Sequence, residues 1–248
     1  MLYKLKLDPR ITEKYPEYRV LIIYARGLSN KPSNEYSTQL LRQVESERRA
    51  TFANEKPSTD PHIAAWRQAY QSFGAKPSKF LCSLEALLSR VLKGHDLPNI
   101  NYLVDLYNVI SLQHLLPVGG EDWDYLSSDL KLTYASGEEP FVAYENGEEV
   151  VTHPEPGEVI WADSTGVTCR RWNWRQGRRK QLTLDTHNAY FVLDRLPPYS
   201  IEALLTSSRP IEWDGIPMVT HWVSCFSESC LKGLSPVQVL QPLHRLTP

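Results

Sequence analysis

The sequence predicts an α+β fold in which helices pack on one side of an antiparallel or mixed sheet. Two patterns carry this. Apolar residues recur at helical spacing through residues 33–116, and from Leu130 to Asn173 short apolar runs alternate with turn residues. A third observation removes the main competitor. No Gly-rich phosphate fingerprint, Walker loop, GxSxG elbow or HExxH motif occurs, so nothing supports a parallel dinucleotide-binding sheet.

In chain order, "LYKLKL" alternates and "YRVLIIYARGL" (18–28) is a β-rich apolar run that breaks at Gly27; both read as strands. From Ser33, placed as an N-cap, Tyr36, Leu40, Leu41, Val44 and Arg48 keep helical spacing. Asp60-Pro61 opens a second helix through Ile63, Trp66 and Tyr70, because a first-turn proline lacks only an N–H that has no helical partner anyway. The amphipathic stretch "PSKFLCSLEALLSRVLKG" (77–94) stops at Gly94. A further helix covers "YLVDLYNVISLQHLL" and ends before Pro117, after which "PVGGEDWD" (117–124) reads as a loop. Strands follow in "LKLTY", in "FVAYENGEEV" with Asn146-Gly147 as its hairpin turn, in "GEVIWAD" and in "GVTCRRW". Asp185 or Thr186 then caps a helix through "HNAYFVLDRL", closed by Pro197-Pro198, and "SIEALLTSS" is a last amphipathic helix.

A chain of 248 residues can bury a substantial core without disulfides or metal, and it is read as one domain. Its formal net charge of -2 means that any attraction for anions must come from a local patch. The apolar runs are too short to span a bilayer, and "MLYKLKLDPR" lacks a signal-peptide core. Cys82, Cys169, Cys225 and Cys230 are scattered, with no second pair at ligand spacing. The expectation is a reduced, cytoplasmic protein without metal or cofactor. The seven histidines, at 62, 95, 114, 153, 187, 221 and 244, have no local partner that marks a nucleophile and base, and read as structural or surface groups.

Three stretches bear chemistry. In "GVTCRRWNWRQGRRK" (166–180), strand alternation places Val167, Cys169, Arg171 and Asn173 on one face and Thr168, Arg170, Trp172 and Trp174 on the other. Gln176-Gly177 would be the turn, and Arg178, Arg179 and Lys180 the start of the returning strand. Two Trp beside an Arg form a stacking platform of the kind that grips single-stranded nucleic acid. The plainer reading buries both Trp and leaves the cations solvated or paired, and composition leaves both readings open. In the second stretch, Gly119-Gly120 either lets a backbone approach a ligand or makes a turn; Glu121, Asp122 and Asp124 are acid–base candidates or solubilising groups. In the third, Asp163, Ser164, Thr165 and Gly166 form a small polar loop that presents N–H groups to an oxyanion or simply turns.

The order "NYLVDLYNVISLQHLLPVGG", a hairpin-rich stretch, then "IWADSTGVTCRRWNWRQGRR" resembles the B3/B4 domain of the phenylalanyl-tRNA synthetase β chain. The anchors are Val104-Asp105-Leu106-Tyr107-Asn108, the loop after Pro117 and the Gly166-Val167 turn. The resemblance covers residues 77–195, leaving 200–248 as a C-terminal extension. It is closer to free-standing relatives that carry a CRRWNWRQ-type strand and that look like trans-editing factors, canavanyl-tRNA(Arg) deacylase among them. It implies a B3/B4-like fold with a pocket between sheet and helices in which a wrong aminoacyl ester is hydrolysed. An activated ester needs only a positioned water and donors around the oxyanion.

The resemblance also implies roles. Thr168 orients the water; Asn108 and the Asp163–Thr168 loop orient ester and water; Glu121 reads the amino acid or acts as base. Gly119, Gly120, Asp163, Ser164, Thr165, Gly166 and Val167 line the substrate site, and Arg170, Arg171, Trp172, Trp174 and Arg175 hold the acceptor end of tRNA. Transient contact with the translation machinery is the further partner implied, and no membrane is. Two family features are missing: Val118-Gly119-Gly120 replace a histidine after the proline, and Arg170-Arg171 stand near where an acid follows Gly-Val. A cationic amino acid would call for a carboxylate, with Glu121 and Asp163 as candidates. Cys169 reads as a small buried residue rather than a nucleophile. The competing readings are a non-catalytic tRNA- or RNA-binding module with the same fold, and a small-molecule hydrolase, which the cationic strand disfavours.

Overall fold

Short polar side chains set the helix starts. The computed structural model describes residues 5–53, 55–145, 147–207 and 223–224; His221, Cys225, Cys230 and His244 lie outside the described residues. Helix α1 (Pro9–Lys14) begins where the Asp8 carboxylate accepts the Arg10 N–H. At six residues it is too short for periodicity to reveal. Helix α2 (Glu35–Thr51) starts one residue later than expected, at Asn34 rather than Ser33. Asn34 accepts from the Ser37 N–H and Ser37 accepts in return from the Asn34 N–H, a reciprocal capping box. Asp60 caps α3 (Pro61–Ser72) as expected, accepting the His62 and Ile63 N–H groups. Helix α4 (Ser83–Leu92) is shorter than its amphipathic stretch, because Lys76–Phe80 forms turns before it. Helix α5 (Tyr102–His114) is capped by Asn101 and ends at Leu115 in the left-handed region. Helix α6 spans Ile201–Ser207.

The strands are β1 (Leu5–Leu7), β2 (Arg19–Arg26), β3 (Val118–Asp122), β4 (Leu130–Tyr134), β5 (Phe141–Glu145), β6 (Glu148–Thr152), β7 (Val159–Asp163), β8 (Gly166–Arg170), β9 (Arg175–Gln176), β10 (Asn188–Arg195) and β11 (Val223–Ser224). They form a five-stranded sheet in the order β1-β4-β7-β8-β9, a four-stranded sheet β11-β2-β10-β3 and the hairpin β5-β6. Only β1 against β4 is parallel, so the first sheet is mixed and the architecture is α+β.

Two expectations are overturned by this pairing. Residues 188–195 form a central strand, not a helix: β10 is bonded to β2 along all eight residues and to β3 along five. Both of its faces are covered. Ala189, Phe191 and Leu193 pack with Leu103, Leu106 and Leu204 of the helices, while Tyr190 and Val192 pack toward Trp161 and Trp172. A strand buried on both faces reads as an unbroken apolar run, which periodicity does not separate from a buried helix. Likewise Gly119 and Gly120 belong to β3 rather than to a loop. A side chain at Gly120 would come within 2.9 Å of Leu182 and Phe191, so the glycine is what lets β10 close on β3.

The cationic stretch also folds differently from its alternation. The turn is at 171–174, with Arg171 (φ 46) and Trp172 (φ 67) both left-handed, the returning strand is Arg175–Gln176, and Arg178–Lys180 is a 3-10 turn. Upstream, the β7–β8 register shifts: Trp161 faces Cys169 and Ala162 faces Val167, leaving Thr168 as the extra residue. Such a bulge re-aims side chains.

Candidate functional site

A cavity of about 250 Å³ lies between the two larger sheets, with α4 and α5 along it. Strand β10 contributes every second residue to its wall, Tyr190, Val192 and Asp194, and β3 contributes Val118, Gly119 and Glu121. The bulge lets both Thr168 and Cys169 reach it from β8, and α5 adds Tyr107 and Asn108.

At one end Glu121, 4 % exposed, accepts a hydrogen bond from the Tyr190 hydroxyl. Burial pushes its carboxyl above the ordinary value, against the Lys180 charge and the Tyr190 and Thr168 hydroxyls. Lys180 is buried as well, with its ammonium 2.7 Å from Asp163. The Thr168 hydroxyl favours the ionised forms of both Glu121 and Tyr190. Yet its oxygen is buried without completing a hydrogen bond of its own, an arrangement that costs free energy unless a water or ligand atom satisfies it.

At the other end stands Asp194. The Tyr18 hydroxyl donates to one of its oxygens at 2.5 Å and the Asn173 amide to the other at 3.2 Å, while Asn173 accepts from Tyr70 at 2.9 Å. Burial pushes the Asp194 carboxyl up to about 7 against those two hydrogen bonds. Because Tyr190 and Asp194 are four residues apart on one strand, the two acids are separated by roughly 13 Å of strand rise. The indole N–H groups of Trp161 and Trp172 are buried without partners and both residues line this cavity. Burial pushes the Cys169 thiol well above its ordinary value, which leaves it a poor nucleophile.

Of the residues singled out from sequence, Asn108, Gly119, Glu121, Thr168, Trp172, Trp174 and Arg175 line the cavity. Gly120 faces away from it. Asp163, Ser164, Thr165, Gly166 and Val167 form the β7–β8 turn, where the donors are already engaged. Ser164 N–H donates to the Ser128 hydroxyl, Thr165 N–H to Asp163 and Val167 N–H to the Pro140 carbonyl. Burial alone would raise the Asp163 carboxyl, but hydrogen bonds from Arg179 and Lys180 outweigh it and hold the group far below the carboxylate range. Asp163 is therefore a structural anion.

The stacking platform expected from alternation is absent. Trp172 is wholly buried, edge-on to Tyr15, Tyr18 and Trp66, and Trp174 packs on Phe80. The left-handed backbone at Arg171 and Trp172 turns the indole inward. Arg170 binds Glu158 through two nitrogens, at 2.9 and 2.8 Å, and Arg171 pairs with the same carboxylate at 3.2 Å while stacking between Phe80 and Trp174. The remaining cations of this stretch are Arg175, bonded to the Tyr144 carbonyl, and Arg178, over the Tyr144 ring and 3.9 Å from the Glu149 carboxylate.

Sequence reasoning missed Asp194, Tyr190, Trp161 and the bond that makes Asn173 a cavity group. One signal existed for the first: an acid directly after the apolar run "YFVL".

Among the described residues no helix is long and apolar enough to cross a membrane, and no group of three His, Cys, Asp or Glu gathers at metal-binding distance. Residues 65–209 match the B3/4 domain. Comparison with curated proteins by sequence finds no match. Among solved structures, an N-terminal fragment of the phenylalanyl-tRNA synthetase β-subunit from Pyrococcus horikoshii is similar, with a TM-score of 0.39 and 11 % identity. The match covers 84 % of this chain and 46 % of that fragment, so the chain spans less than half of the fragment's length.

Proposed function

The chain belongs to the B3/4 domain family, and from that premise we propose that it is a trans-acting deacylase of mischarged aminoacyl-tRNA, with canavanyl-tRNA(Arg) among its substrates. The observation that carries the reading is the Thr168 hydroxyl, 2 % exposed and set beside the buried Glu121 carboxyl in a cavity. In the proposed reaction Thr168 holds a water against the ester carbonyl. The water oxygen bonds to the carbonyl carbon while its proton passes to Glu121, whose raised pKa favours proton uptake. Collapse of the tetrahedral adduct breaks the bond to the ribose oxygen, which takes the proton back from Glu121. The products are a free amino acid and an uncharged tRNA end. Asn108, on the α5 side of the cavity, supplies an amide to the ester or its oxyanion. Arg175 and Arg178, the latter in only an exposed 3.9 Å pair with Glu149, are the cations offered to tRNA phosphates.

The test is deacylation of a panel that includes canavanyl-tRNA(Arg), arginyl-tRNA(Arg) and tyrosyl-tRNA(Phe). Thr168→Ala should lower the rate by about 10- to 100-fold with tRNA affinity unchanged. Normal turnover by that variant would remove Thr168 from the mechanism. Binding of tRNA by the natural protein without turnover of any member would instead favour the non-catalytic module.

A further inference from the structure

The Asp194 end of the cavity has a chemical character of its own. Trp172 packs edge-on to Tyr18, with ring centroids 4.9 Å apart, and the Tyr18 hydroxyl is bonded to Asp194. The Trp172 backbone N–H is bonded to the Val159 carbonyl, two residues before Trp161 on the same face of β7. Trp172 therefore stands at this end, and Trp161, also on the cavity wall, follows one strand repeat along β7. Each offers one N–H and no acceptor, and neither N–H has a partner. Asp194 receives one hydrogen bond on each oxygen, which leaves acceptor capacity on a carboxylate. Leu87, Leu130 and Val192 supply apolar wall.

Resting on the aminoacyl-ester reading above, we propose that this end is a side-chain pocket that selects aminoacyl groups carrying both a hydrogen-bond acceptor and a donor over apolar groups of the same shape. An amide-bearing side chain satisfies the pocket. Its carbonyl accepts from the indole N–H groups and its NH2 donates to Asp194. An isosteric hydrocarbon leaves all three groups unmet, and a site built to hydrogen-bond its ligand rejects such an analogue strongly. A carboxylate of the same shape meets the indoles but lies against Asp194.

The probes are 3′-deoxy-3′-aminoacylamino-adenosines, in which an amide replaces the labile ester, carrying asparagine, leucine or aspartate. Calorimetry on the full chain is run at a pH well above the Asp194 value of about 7, so that the group is ionised. It should show the asparagine probe binding about tenfold or more tighter than the leucine probe, with the aspartate probe weaker than asparagine. Trp161→Phe, which keeps an aromatic ring and removes the N–H, and Asp194→Asn should each cut the asparagine preference to about threefold or less. Circular dichroism and the thermal midpoint establish that both variants are folded. Equal or tighter binding of leucine, or a preference that survives both variants, overturns the pocket assignment and leaves the deacylase reading standing. Binding of no probe overturns the assignment too; concurrent deacylation by the same preparation separates that result from failure of the deacylase reading.

Discussion

Replacing Asp194 by Asn should change how folding stability depends on pH. Asp194 is 2 % exposed, and burial pushes its carboxyl from 3.8 up to about 7. A carboxyl whose folded pKa lies above its unfolded one holds its proton more tightly in the folded chain. Its contribution is most favourable below pH 3.8 and is lost as pH rises toward 7, opposite to the behaviour of a salt-bridged carboxylate. At about 1.4 kcal/mol per unit the whole shift is worth ~4 kcal/mol, and the part lost between about pH 5 and 9 is ~3 kcal/mol. Asparagine cannot ionise, so that slope disappears. Asparagine keeps one acceptor oxygen for the Asn173 amide and turns its NH2 to the Tyr18 hydroxyl oxygen, and any offset from that exchange is independent of pH. His62 acts in the other direction. Its Nε2 accepts from Trp66 and from the Leu196 N–H, and burial pulls its imidazole down to about 4, so its contribution falls as pH drops from 6.5. Both proteins carry it, so it cancels in their difference. Urea titrations of both proteins, followed by tryptophan fluorescence, give the measurement. The natural protein should lose ~3 kcal/mol relative to Asp194→Asn on going from about pH 5 to 9. A difference constant to within ~0.5 kcal/mol would show that Asp194 is already ionised when folded, and the burial argument would fail.

Two further outcomes test the frame around the site. Glu158 is 3 % exposed and neutralises both Arg170 and Arg171; Glu158→Gln should cost about 3–5 kcal/mol because two guanidinium groups lose their buried counter-charge, read as a lower urea midpoint, and a midpoint unchanged would show the pair solvated. At Gly166, φ is 134° and an added Cβ would strike the Pro140 carbonyl oxygen. Gly166→Ala should therefore destabilise by about 2–3 kcal/mol, and an unshifted thermal midpoint would contradict the turn geometry.

The local signals were reliable where one segment carries its own explanation. Asp60 before Pro61 accepts two N–H groups, α5 starts at Tyr102 where its expected stretch begins, and Gly94 adopts the positive φ that a helix end asks of glycine. Glu121, Asn108 and Thr168, taken together from the resemblance, do line one cavity. The failures share a cause. Strand β10 is bonded on both edges and covered on both faces, so its alternation carries no polar half to read. Alternation put Thr168 and Cys169 on opposite faces, and one unpaired residue in the β7–β8 register brought both to the cavity. The cations from Arg170 to Lys180 looked like a nucleic-acid surface, but Glu158 and Asp163 neutralise four of the six: Arg170, Arg171, Arg179 and Lys180.

The sequence by itself determined the α+β class, the Asp60-capped start of α3, the hairpin region and the membership of the B3/4 domain family. These depend on propensity, capping and period, which act over a few neighbouring residues. Only the tertiary structure decided that Trp172 is core, that Asp163 is a structural anion and that Asp194 shares a cavity with Glu121. Those facts depend on which distant strands pair, and in what register. A charge becomes costly, and so chemically useful, only once segments far apart in sequence have removed the water around it.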